Sequence, residues 1–189
     1  LRKMEFLNNI WTAISTPNET LITLLSIPLL IFIEAPLTFY LISNFFNIKF
    51  SKKQAFIYIL STGIMAVIAN HLIDWPFNII INYAFAFMIL FFIMKLNFIK
   101  SLIATLFPSI VFNLVVNLIA NPYMDLLKIT LQQSSTIVIY RVPFVLLAYT
   151  IVLIFSLILK YKKVTITILE NFDKRTKTII TLNFIFGFL

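Results

Sequence analysis

From residue 20 onward the chain is written in long apolar runs that end in polar or basic clusters. Five of these runs, 20–42, 54–70, 77–94, 101–120 and 137–159, approach the 20 or so residues that an α-helix needs to cross a bilayer. A sixth, TIITLNFIFGFL at 178–189, has twelve residues when the sequence stops. A helix cannot end in lipid with its last carbonyls unsatisfied, so the expectation is that more chain follows Leu189. A membrane β-barrel would show period-two segments about ten residues long, and the runs here are longer and do not alternate. The predicted fold is therefore all-α: a polytopic helical membrane bundle over 17–189 with about six spans, the last truncated. An interfacial amphipathic helix over 1–16 precedes it.

That first helix rests on Met4, Leu7, Ile10, Trp11 and Ile14, which recur every three or four residues with Glu5, Asn8, Asn9 and Thr12 between them. Such a pattern lies in the membrane interface with its tryptophan at headgroup level. STPNE at 15–19 then predicts a helix start, with Thr16 as cap, Pro17 in the first turn and Glu19 closing a capping box. Asn121–Pro122 predicts another, inside a long external loop over 121–135. In the stretch after span 5, VTITIL reads as a short strand or the frayed end of that span.

Composition supports the membrane reading, since 61% of the 189 residues are hydrophobic and 12% charged, against about a quarter charged in soluble domains. The net charge of +8 does not point to nucleic acid, because the basic residues cap apolar runs. Lys49, Lys52, Lys53, Lys95, Lys100, Lys160, Lys162, Lys163, Lys174, Arg175 and Lys177 fall on one side, and Lys128 alone lies in the opposite loops. By the positive-inside rule the rich side is cytoplasmic and the N-terminus outside. The lone His71 and the lack of cysteine exclude ordinary metal clusters and a cysteine nucleophile, and two glycines, Gly63 and Gly187, make no phosphate loop. No cofactor and no catalytic activity are expected of this stretch.

The informative residues are the polar ones inside the spans. Charge in hydrocarbon is costly and turns toward protein or water. Glu34 lies about 21 Å along span 1 at 1.5 Å per residue, bracketed by Pro28 and Pro36, each of which removes a backbone hydrogen bond and invites a kink. Arg141, a few residues into span 5, could pair with Glu34 or snorkel to the outer interface. Asn113, Asn117 and Asn121 recur every four residues on one face of span 4, and Asn78 and Asn82 repeat the pattern in span 3. These amides either fasten helices together or, with Glu34 and Arg141, line a polar cavity open to the outside. Thr62, Ala66 and Asn70 form a small-residue stripe better read as a helix contact. The ligand-binding candidates are Glu34, Asn82, Asn113, Asn117 and Arg141.

MEFLNNIWTAISTPNETLI at 4–22, IEAP at 33–36, IYR at 139–141 and LENFDKRTKTIITLNFIFG at 169–187 together resemble the N-terminal sensor of accessory-gene-regulator-type receptor histidine kinases of Gram-positive bacteria, in particular their clostridial GHKL forms. The resemblance runs over nearly the whole chain and implies a membrane sensor that detects an extracellular peptide. It also implies a homodimer formed through a following segment with a phosphorylated histidine, and an ATP-binding domain beyond it. His71, on the expected outer side, cannot be that histidine. With the N-terminus outside, a seventh span would have to return the chain before a cytoplasmic kinase. The competing class is the substrate-binding membrane subunit of a small-molecule transporter, although the repeated alanine face that such subunits use for docking is missing.

Overall fold

The computed structural model describes residues 2–74 and 76–162. The runs VTITIL and 178–189, on which a strand and a sixth span were expected, lie outside the described residues. Within them the chain is helical, with one isolated bridge between Pro17 and Ile137 and no strand.

Helix α1, Arg2–Ser15, follows the amphipathic pattern, and Phe6, Leu7, Ile10 and Trp11 stand exposed along it. The helix start after it differs from expectation. The Thr16 hydroxyl donates back to the Thr12 carbonyl at 2.7 Å, and Asn18, not Thr16, caps the next helix by accepting from the Leu21 N–H at 3.0 Å. The cause is tertiary: the Asn18 N–H donates to the Thr136 carbonyl at 3.1 Å, so Pro17 and Asn18 are held in extended form against a later segment. The helix then begins at Glu19, and asparagine caps it as well as threonine would.

Helix α2 runs Glu19–Phe46 and widens into a π turn at Leu30–Glu34, where the Ala35 N–H reaches back five residues to Leu30. Pro36 has no N–H to give the Phe32 carbonyl, and an extra residue in the turn absorbs the mismatch. The sequence predicts a bend here, and the structure builds it as this widened turn. Asn47, at φ 51°, ends α2 in the left-handed conformation. Ser51 and Gln54 then form a capping box that opens α3, Lys52–Leu72.

Helix α4, Phe77–Ile93, also ends in a π turn, Ile89–Ile93. Asn97 caps α5, Phe98–Leu127. The expected break at Asn121–Pro122 is absent, and α5 runs through to a left-handed cap at Lys128. The N–H that Pro122 lacks would have met the carbonyl of Leu118, a residue 73% exposed, so the lost bond falls on the surface of the bundle and one defect does not end the helix. A second capping box, Thr130 with Gln133, opens the short α6, Leu131–Thr136, and α7 follows as Val138–Lys162.

Helices α2 and α7 run parallel, joined in sequence order by Asn18 with Thr136, Glu34 with Tyr149 and Asn44 with Ser156. Helix α3 is antiparallel to α2: His71 meets Ser26, Gly63 meets Ile31, and Tyr58 meets Phe39. Helices α2, α3, α5 and α7 are each long and apolar enough to cross a membrane, and α4 is a shorter apolar helix beside them. This alternation gathers Lys49, Lys52, Lys53, Lys95, Lys100, Lys160 and Lys162 at one end of the bundle, and His71, Asp74, Asp125 and Lys128 at the other.

Candidate functional site

Close approach of α2 and α3 shapes the site. A Cβ at Gly63 would stand 3.1 Å from the Ile31 Cα, so a larger residue here would have to push the π turn back by a few tenths of an ångström. The turn rotates the residues after it, and its last one, Glu34, faces inward. Beyond this contact α2, α3, α4, α5 and α7 part around a cavity of about 480 Å³.

Glu34 and Arg141 are the only acidic and basic side chains among the described lining residues. The ion pair between them, one of two sequence readings, is not formed. Glu34 Oε2 accepts from the Tyr149 hydroxyl at 2.5 Å, while Arg141 Nη1 donates to the Ser135 carbonyl at 3.1 Å. Helix geometry explains the separation: Arg141 precedes Tyr149 by eight residues, or about 12 Å along α7, and its side chain turns toward α6. Arg141 therefore keeps one foot at the end of the bundle, as snorkelling would have it, and another in the cavity lining.

The candidate asparagines divide. Asn82 of α4 and Asn113 of α5 both line the cavity, and neither amide bonds to a protein group among the described residues. Asn117 and Asn121, further along α5, are exposed and are not part of this lining. Each four-residue step drifts about 40°, which is enough to carry the later two off the inner face. Asn78 turns back to its own helix start, where its Oδ1 accepts from the Ile79 N–H at 2.8 Å.

Two further groups were misjudged or missed from the sequence. Thr62, Ala66 and Asn70, read there as a helix contact, line the cavity on α3. Thr62, Thr105 and Ser109 donate their hydroxyl protons to carbonyls of their own helices, to Tyr58 at 2.7 Å, Ser101 at 2.8 Å and Leu106 at 2.7 Å. Their oxygens can still accept from a bound molecule. Tyr149 is the larger omission. Its signal was a hydroxyl in the middle of an apolar run, two turns past Arg141 on the same helix.

Tyr149 is also a partition. Behind its ring lies a second, apolar cavity of about 550 Å³, bounded by Phe32, Pro36 and Tyr40 of α2 and by Leu146 and Leu153 of α7. The one bond between Glu34 and Tyr149 thus ties the π turn to α7 where the two hollows meet. Set against models of known families, curated proteins and solved structures, the chain finds no match.

Proposed function

We propose that the chain is the ligand-binding membrane portion of a receptor, with the polar cavity as its pocket. The observation that carries this reading is the convergence of five helices on one hollow that holds a carboxyl, a guanidinium and two unbonded amides. Polar groups held away from hydrocarbon in this way are costly for a scaffold and useful for recognition. The lysine-rich end is cytoplasmic by the positive-inside rule, and the N-terminus and the Arg141 end are outside. The resemblance to accessory-gene-regulator-type sensors supplies the rest of the reading: the ligand is an extracellular peptide, and the response passes to a histidine kinase working as a homodimer. Binding would rearrange the contact between Glu34 and Tyr149 and so reset α7, which leads toward the signalling end.

The sequence has no cysteine, so single introduced cysteines label without background. With a membrane-impermeant maleimide on intact cells, Lys128→Cys should be labelled and Lys52→Cys should not. The reverse pattern would overturn the orientation and with it the extracellular pocket. A second reading, a small-molecule transporter subunit, is favoured by the cavity size of about 480 Å³, within the range of small-ligand pockets. Ligand accumulation inside sealed proteoliposomes would decide for the transporter, and binding without accumulation for the receptor.

A further inference from the structure

The carboxyl and the guanidinium that line the cavity are separated and do not pair with each other. The carboxyl of Glu34 sits at the level of Tyr149, and Arg141 lies eight residues nearer the start of α7. At 1.5 Å per residue the two positions on α7 lie about 12 Å apart along its axis, more than the ammonium and carboxylate of a single amino acid span. An extended peptide advances about 3.3–3.6 Å per residue, so two or three residues match the span. The volume of about 480 Å³ holds a chain of that length with small or medium side chains.

Between the poles, Asn82 and Asn113 present amides with no protein partner, from α4 and α5. Each has donors and an acceptor, the complement of a peptide backbone. Arg141 spends one N–H on Ser135 and keeps the others for a carboxylate fork.

We propose that the cavity binds a linear di- or tripeptide with free ends, its ammonium on Glu34 and its carboxylate at Arg141. The ammonium takes the place of the Tyr149 hydroxyl on the carboxyl, and this frees α7 from the π turn. The proposal rests on the reading of the cavity as a ligand pocket and narrows its ligand class.

The test uses the full chain in nanodiscs and calorimetric titration with an equimolar pool of di- and tripeptides, alongside the same pool N-acetylated and C-amidated. The free pool should bind, and each capped pool should bind about tenfold more weakly or worse, the size expected for loss of one charge-assisted contact. In Glu34→Gln the acetylation penalty should vanish while the amidation penalty stays, and in Arg141→Gln the pattern should reverse. The two capping penalties on the unaltered protein test the idea even if a variant fails to fold. Capped pools that bind as well as the free pool would overturn the two-ended recognition and leave the receptor reading standing. No heat from any pool would overturn the di- and tripeptide assignment, while the labelling experiment decides the receptor reading. Penalties that persist unchanged in both variants would place the peptide elsewhere and overturn the assignment of its ends.

Discussion

The same helices build two unlike ends. Toward the lysine-rich end, Leu41, Ile42, Leu90, Ser101, Val152 and Ser156 are wholly enclosed, and the rings of Phe45 and Phe107 stack 3.6 Å apart. Toward the other end, α2, α3, α4, α5 and α7 separate around the polar cavity. The π turn at Leu30–Glu34 stands between the polar cavity and these enclosed residues, with the apolar cavity beside Tyr149 lying between α2 and α7 on the lysine-rich side of the turn. A close-packed assembly resists small displacements and a hollow one accommodates them. The dense end is therefore the fulcrum, and the hollow end is where a ligand can alter helix positions at small cost.

This contrast gives the largest expected effect. Leu41→Ala at the dense end should cost about 2–5 kcal/mol, because its surroundings cannot collapse into the gap. Leu25→Ala, on the cavity wall, removes atoms from an existing hollow and should cost under about 1 kcal/mol. Unfolding by denaturing detergent in mixed micelles measures both. Equal losses would mean that the two ends are packed alike.

Next in size is the junction between the regimes. Gly63→Val inserts branched carbons where even a single Cβ would lie 3.1 Å from the Ile31 Cα, a backbone atom. Overpacking of this kind costs about 1–3 kcal/mol, and it should push the π turn away from α3 and weaken ligand binding as well. A stability loss with binding unchanged would show that the turn's position does not shape the pocket.

How much of this was legible beforehand follows from range. Apart from the far end of α5, helices α2 to α5 and α7 begin and end within about four residues of their apolar runs, because length and hydropathy act locally. The signals that failed were the ones that depend on distant partners. Thr16 lost the cap to Asn18 because Thr136, far along the chain, holds the Asn18 N–H. Pro122 did not break α5, because its missing bond falls on the surface at Leu118. In the site, Glu34, Asn82, Asn113 and Arg141 were readable as polar groups in oily runs, and they do share one cavity. Their grouping with Tyr149 was not readable, since 115 residues separate it from Glu34. Asn117 misled because a four-residue repeat is not quite a helical repeat.

A smaller effect separates buried polar contacts at the two ends. The Asn44 amide donates to the Ser156 hydroxyl at 2.9 Å and to its carbonyl at 3.2 Å, with Ser156 fully enclosed. Asn44→Ala should cost about 0.6 kcal/mol and at most about 1.7, the mean and the maximum for hydrogen bonds between membrane helices. No measurable loss would mean the amide contributes nothing to holding α2 against α7 at the dense end.

The smallest expected loss lies at the bond most visible in the site. Tyr149→Phe removes the hydroxyl that Glu34 accepts, yet the carboxyl borders a hollow where water can take the vacated position. The stability change should stay under about 0.5 kcal/mol, while Asn44→Ala, which takes two hydrogen bonds from the enclosed Ser156, costs more. The same variant should strengthen binding of an ammonium-bearing ligand, because no hydroxyl then competes for the carboxyl. Detergent unfolding reads the first effect and calorimetric titration the second. A loss at Tyr149 larger than that at Asn44 would make the bond between α2 and α7 a structural fastening, and the hollow end would no longer be the yielding one.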